Sequence, residues 1–148
     1  MELIIYNDTL QDNLLIFVHK VFEENGISLN LADKHSDFLH PISSYLCFWT
    51  LVNDSKIIGC VGVKNYKKSE RIVELKRLYL LRDYHGKGLG GKLIDTVIEY
   101  CIDHHYRRVR LDTKKRFKNA VFLIEKKGFK QIPRYNNSSA DLFYELTL

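Results

Sequence analysis

Apolar residues along this chain switch between two spacings, and the switches mark out the elements. Glu2 to Tyr6 reads as a short strand. Leu14, Leu15, Phe17, Val18, Val21 and Phe22 recur at helical spacing behind a cap at Asp8 or Thr9, and Asn25-Gly26 ends that helix. Residues Ser28 to Ser44 are mixed, with a short helix around Asp37 to Leu39 stopped by Pro41. Phe48 to Asn53 and Lys56 to Tyr66 read as strands joined by a tight turn at Asp54-Ser55, with Phe48 and Trp49 in the core. Arg71 to Leu81 is a third long strand. Gly88 to His105 predicts a helix with Leu89, Leu93, Ile94, Val97, Ile98 and Cys101 inward, and His104 and His105 suit its C-terminal dipole. Val109 to Asp112 is a strand, Lys118 to Lys127 a helix closed by Gly128, and Phe129 to Ile132 and Leu142 to Leu146 are terminal strands. The order predicts an α/β fold on a mixed sheet of about seven strands flanked by about four helices. That sheet should be antiparallel early and parallel around the segment that follows Leu81.

Composition narrows the class. A chain of 148 residues with 45% hydrophobic and 28% charged residues can build a core, and a single domain over 1–148 is expected. No apolar run approaches a membrane span, and the N-terminus lacks the basic start of a signal peptide, so a cytoplasmic protein is expected. Cys47, Cys60 and Cys101 are widely spaced, which predicts reduced, mostly buried thiols rather than a disulfide framework or zinc site. The net charge of +5 fits an anionic ligand. Its clusters, Lys64 to Lys68 and Arg107 to Lys118, follow no nucleic-acid module pattern and read as solvated basic faces. Nothing in the pattern requires or excludes a homodimer.

Chemistry concentrates in Leu78-Tyr79-Leu80-Leu81-Arg82-Asp83-Tyr84-His85-Gly86-Lys87-Gly88-Leu89-Gly90-Gly91-Lys92-Leu93. An apolar strand ends, a turn follows, and glycines open an amphipathic helix. Glycine lets the main chain approach a ligand closely, and the N–H groups of a first helical turn have no intrahelical partner. With the helix dipole they form an anion site for phosphate. Gly86-x-Gly88-x-x-Gly91 matches a dinucleotide fingerprint, and Asp112 lies where a ribose-binding acid would sit. Yet Arg82 to His85 separate the motif from its strand, and too little chain remains for a second mononucleotide half. A P-loop is excluded because no glycine pair of its spacing is followed by Lys-Ser or Lys-Thr.

The run Val73-Glu74-Leu75-Lys76-Arg77-Leu78-Tyr79-Leu80 with Tyr84-His85-Gly86-Lys87-Gly88-Leu89-Gly90 resembles the acetyl-CoA-binding motif of the GNAT N-acetyltransferase superfamily, Gln/Arg-x-x-Gly-x-Gly/Ala. Asn119-Ala120-Val121-Phe122-Leu123-Ile124-Glu125-Lys126-Lys127-Gly128-Phe129 resembles that family's second signature, an alanine-bearing helix ending in Gly-Phe. The resemblance implies the acyl-CoA N-acyltransferase fold and acetyl transfer from acetyl-CoA, a co-substrate, to a primary amine by direct attack, with no metal. It implies that main-chain N–H groups of Gly86, Lys87, Gly88, Leu89, Gly90 and Gly91 hold the pyrophosphate, with His85 at the motif's first position. It also implies that Leu78 to Leu80, Leu78 and Leu80 foremost, pair with the pantetheine arm, and that Asn119 touches the arm from the other side. Glu74 stands where several members carry the carboxylate that helps deprotonate the amine; read on its own it is an exposed strand carboxylate opposite Lys76.

Two departures stand out. His85 replaces Gln or Arg at a position whose role is mostly main-chain, and reads as an exposed loop residue. Ile124 stands where many members carry a tyrosine that protonates the leaving thiolate. A thiol of pKa about 8.5 leaves tolerably unaided; Tyr84, Tyr135 and Tyr144 are candidate substitutes from other elements, and each also reads as a packing or rim tyrosine. Ile124 also favours a second reading, a non-catalytic acyl-CoA-binding module acting as sensor or interaction domain. Pro133 to Ala140 is expected to rim the acceptor pocket; Arg134, with Arg77, could hold a carboxylate of the amine substrate there, and the segment reads equally as a plain surface loop.

Overall fold

The computed structural model describes residues 1–148. Its sheet is built from β1 (Glu2–Ile5), β2 (Cys47–Asn53), β3 (Lys56–Lys67), β4 (Ile72–Leu80), β5 (Arg108–Thr113), β6 (Lys130–Gln131) and β7 (Leu142–Thr147). The spatial order is β1-β2-β3-β4-β5-β7-β6. Every neighbouring pair is antiparallel except β4 with β5, as expected where a helix makes the crossover. The helices are α1 (Gln11–Glu24), α2 (Pro41–Ser44), α3 (Leu89–Asp103) and α4 (Lys118–Lys126). No helix is long and apolar enough to cross a membrane.

Alternation along the strands sends successive side chains to opposite faces and sorts the helices between them. Phe48 meets Phe38 and Tyr45 on one face, where Phe22 of α1 also packs against Phe38 and Tyr79. Trp49 meets Tyr100 of α3 on the other. The apolar stripe of α1 buries Leu14, Phe17, Val18, Val21 and Phe22, and that of α3 buries Leu93, Ile94, Val97 and Cys101. Each such side chain contributes about 1.5–3 kcal/mol of burial. Cys60 and Cys101 are buried and unpaired, and burial pushes the Cys101 thiol up to about 12.

Local chemistry adjusts several expected boundaries. The N-terminal cap is Asn7, whose side chain accepts from the Thr9 N–H, because a 3-10 turn over Asp8–Leu10 precedes α1. Pro41 does not merely stop the turn at Ser36–Leu39; it opens α2, since its fixed φ and missing N–H suit a first helical position. Asp54 (φ 50°) and Ser55 (φ 64°) both take the left-handed conformation that a two-residue hairpin turn demands.

The feature that positions the site lies in β4. Its register against β3 slips between Gly62↔Lys76 and Cys60↔Tyr79, and Arg77 sits in the bulge at φ 56°. Three contacts hold that strained residue, one of them a bond from its guanidinium to the Lys34 carbonyl at 3.2 Å. Its guanidinium forks onto Asp37 at 2.9 and 3.0 Å, and it lies over the Phe38 ring at 5.2 Å. Before the bulge, β4 pairs with β5 through Ile72–Glu74 against Arg108–Arg110. Beyond Glu74 the two strands part, while β5 stays paired with β7 along its whole length. The fork leaves the β4 edge through Leu80 without a strand partner on the β5 side.

Candidate active site

The glycine-rich segment sits at the open end of the fork. The N–H groups from Gly86 to Gly91 have no acceptor in the protein; the first to bond back is that of Lys92, to Gly88 O at 3.1 Å. Gly86 and Gly88 both have φ 77°, and Gly88 is the N-cap of α3. A side chain at either would meet nothing within 4 Å, so these two glycines are there for conformation and for the space in front of them. Such a row of unpartnered N–H groups at a helix start is an anion nest. Lys87 and Lys92 stand exposed beside it, with Lys87 Nζ 5.5 Å from the Tyr84 ring centroid. Leu89 is half-buried against the core.

Gly90 and Gly91 also serve the packing of two helices. A Cβ on Gly90 would lie 2.8 Å from Leu123 Cδ1, and one on Gly91 would lie 3.3 Å from Lys127 Cε. Their bareness lets α4 close on α3, and the Lys127–Asp95 ion pair at 2.9 Å fastens the contact. Asn119 lies one turn before Leu123 on the same helical stripe, exposed and without a hydrogen-bond partner, beside the start of α3. Leu78 and Leu80 are half-buried on the unpaired β4 edge. His85 is exposed as expected, and its Nε2 lies 2.9 Å from Leu80 O, which ties the loop back to that strand.

Glu74 occupies the crotch of the fork, as the last β4 residue paired with β5. It is not an exposed carboxylate: only 7% of it is accessible. Its Oε2 accepts from the Tyr135 hydroxyl at 2.7 Å and from Asn136 Nδ2 at 3.4 Å, and Lys76 Nζ stands 3.9 Å from Oε1. Asn136 Nδ2 also donates to Asp112 Oδ2 at 2.7 Å, where the Ser138 hydroxyl donates at 3.0 Å. The segment between β6 and β7 thus folds down over the sheet face and covers Glu74. Arg110 lies over the rings of both Tyr66 and Tyr135, at 5.2 and 5.3 Å, and pairs with Glu145 at 2.8 Å. Burial and the neighbouring Glu74 carboxylate push the Tyr135 phenol far above its ordinary range.

The other tyrosines are engaged elsewhere. The Tyr84 hydroxyl accepts from Asn53 Nδ2 at 3.1 Å. Tyr144 donates to Glu125 at 2.8 Å on the α4 face, and burial with that bond raises it to about 12. Ile124 is 2% exposed and belongs to the core. Neither arginine expected to clamp a substrate carboxylate is free. Arg77 is bound to Asp37, and Arg134 donates to the carbonyls of Asn136, Ser138 and Ala140 within its own loop. Asn136 escaped the sequence as a partner of Glu74, and Asp112 and Ser138 as the groups that hold Asn136 in place, because the contact between Glu74 and Asn136 joins residues 62 positions apart and no local spacing announces it.

Comparison with known proteins accords with this geometry. Residues 14–129 match the model of the acetyltransferase (GNAT) family. The uncharacterized N-acetyltransferase YjgM of Escherichia coli K12 is 31% identical over 133 residues, 84% of this chain and 80% of YjgM. The N-acetylaspartate synthetase of Xenopus tropicalis is 33% identical over 109 residues, 74% of this chain but 39% of that protein. The chain therefore spans most of YjgM and well under half of the longer synthetase. Among solved structures, a GNAT-family acetyltransferase from Staphylococcus aureus Mu50 superposes with a TM-score of 0.86 at 24% identity, covering 99% of this chain and 98% of the other.

Proposed function

The chain belongs to the acetyltransferase (GNAT) family and transfers acetyl groups from acetyl-CoA to an amine, and we propose that it does so with the residues assembled around the fork between β4 and β5. The observation that carries this reading is the row of unpartnered N–H groups from Gly86 to Gly91 at one end of the fork, with the buried Glu74 carboxylate at the other. In this reading the CoA pyrophosphate lies on the nest. The pantetheine arm runs down the unpaired β4 edge past Leu78 and Leu80, and Asn119 meets it from α4. The thioester then rests near the Arg77 bulge, where a main-chain N–H of Leu78 to Leu80 receives the oxyanion.

An alkylammonium of pKa about 10 must lose a proton before it can attack. Glu74 is the base. The free amine adds to the thioester carbonyl, and the tetrahedral adduct collapses with the C–S bond's electrons leaving on sulfur. The remaining ammonium-like proton passes to that thiolate, directly or through water, to give CoA thiol. With both nearby arginines bound inside the fold, this reading favours an acceptor that needs no carboxylate clamp. It extends to a single domain working in the cytoplasm, with the amine acceptor and any homodimer to be found by experiment.

Thiol release from acetyl-CoA tests the reading against a panel of n-propylamine, spermidine, a peptide with a free N-terminus, and L-aspartate, the last prompted by the named activity of the synthetase relative. Release with at least one amine is expected. A chain that binds CoA tightly and releases none with any of them would instead be an acyl-CoA-binding module, the reading that Ile124 invites.

A further inference from the structure

The base assigned above has a difficulty of access. Glu74 is 7% exposed, its Oε2 already accepts from Tyr135 and Asn136, and its Oε1 faces Lys76 Nζ at 3.9 Å. No amine reaches Oε2 without displacing the β6–β7 segment. The group bound most closely to that oxygen is the Tyr135 hydroxyl. It donates to Glu74 at 2.7 Å and accepts from no group of the protein, so an oxygen lone pair remains for an incoming N–H donor. Tyr135 itself is half-buried, more open than the carboxylate behind it. It is also firmly placed: its ring packs edge-on against Tyr66 and Phe143, the Tyr66 hydroxyl holds its carbonyl at 2.9 Å, and Arg110 lies over its face.

We propose that Tyr135 is a catalytic residue, which takes the proton from the acceptor ammonium while passing its own to Glu74. The inference rests on the reading of Glu74 as base. The ammonium N–H bond breaks as the proton moves to the Tyr135 oxygen, and the phenol O–H bond breaks as that proton moves to Glu74 Oε2. Tyr135 ends as it began, Glu74 ends neutral, and the nitrogen keeps the electron pair with which it attacks. The proton returns to water by the same path after the product leaves. Tyr135 never exists as a free phenolate, consistent with surroundings that oppose its ionisation. This removes it from the role of acid to the departing thiolate.

The charged and titratable groups facing Tyr135 are Glu74 on β4, Arg110 and Asp112 on β5, and Tyr66 on β3, with Lys76 beyond Glu74. The test uses the full-length protein under single-turnover conditions with the fastest amine of the panel. Tyr135→Phe removes one oxygen and almost no volume. We expect it to lower the transfer rate about 10²-fold at pH 7, within the usual range for proton-transfer help, with CoA affinity unchanged. The loss should fade as pH approaches the amine's own pKa. Glu74→Gln should match it in size and pH profile, and the double variant should be no slower than either single one. In the unaltered protein, a proton inventory in mixed H2O and D2O should be curved, because two protons move together.

A Tyr135→Phe protein of unaltered rate beside a slow Glu74→Gln protein overturns the relay and leaves Glu74 as base. So does a pH-independent loss that appears only in the amine's KM, the mark of a tyrosine that merely anchors its loop. Additive losses in the double variant, or a linear proton inventory, overturn it as well. A Glu74→Gln protein of unaltered rate at every pH removes the base, and the relay goes with it.

Discussion

Two kinds of glycine share one short segment, and substitution should separate them. At Gly88 the backbone is left-handed and the space in front is open, so Gly88→Glu introduces strain, bulk and negative charge into the anion nest. Calorimetry should show CoA binding lost in a folded protein. At Gly90 the obstacle is Leu123 rather than ligand. Gly90→Ala should lower the melting temperature by pushing α4 off α3, and adding Leu123→Ala should recover part of the loss, because the two changes share one contact. Ile124 shows the same contrast between a sequence position and its surroundings. In the family pattern its place is a vacant acid; in the fold it is core. Ile124→Tyr should therefore destabilise by about 1–3 kcal/mol in urea titration, the usual cost of overfilling a packed interior, rather than supply a proton.

At the scale of elements, the bulged third long strand depends on a pair of side chains from distant segments. Arg77 and Asp37 are mostly buried, with side-chain exposures of 17% and 19%, and the Tyr45 hydroxyl also donates to Asp37. Removing one partner of a buried pair leaves the other charge uncompensated. Arg77→Met should cost about 3 kcal/mol by urea titration, and it should also weaken CoA binding, because the bulge that opens the fork loses its anchor. The hairpin between β2 and β3 offers the opposite case. Both turn residues are left-handed and neither is glycine. Replacing Asp54-Ser55 by Asn-Gly should raise stability by about 1 kcal/mol, read as a higher melting temperature with transfer rate unchanged.

For the whole molecule, acid is the condition to which this architecture is most exposed. His35 is buried, and burial, then the charges of Arg77 and Lys34, hold its pKa below the ordinary value near 6.5. Its Nδ1 accepts from the Asn30 N–H, which only the neutral ring can do. The unfolded chain therefore binds the proton more readily, so this stability is complete above about pH 6.5 and is lost as pH falls through the folded value. Burial alone would raise Asp37, but its bonds and charge contact with Arg77 outweigh that and lower it below 3.8, adding a second loss at more acid pH. Urea midpoints should fall with pH in both windows, and His35→Gln should flatten the first. How much of this was legible beforehand follows from the range of each interaction. Helices, strands, the hairpin turn and the glycine nest come from local spacing and were readable. The fork was not, since it depends on a register slip between β3 and β4 and on Asp37 reaching Arg77 across the fold. The cover over Glu74 was half readable: Pro133 to Ala140 stood out as a rim, but a loop sequence carries no sign of the strand carboxylate on which it settles.

The parting of β4 from β5 leaves a sheet that is incomplete in its own middle. Three rungs join its two halves, Ile72–Glu74 to Arg108–Arg110, and beyond them an interior strand has the unsatisfied edge normally found only at a border. That edge lies inside the sheet rather than at its border. A slender, amide-bearing arm can pair with it. In the proposed reading the co-substrate acts as a missing piece of secondary structure, and its arrival would finish folding as well as start chemistry. In hydrogen exchange the amides of Leu78 to Leu80 should be fast for a central strand when the protein is empty and slow when CoA is present. The two half-sheets, joined by only three rungs, should tighten together in the same step.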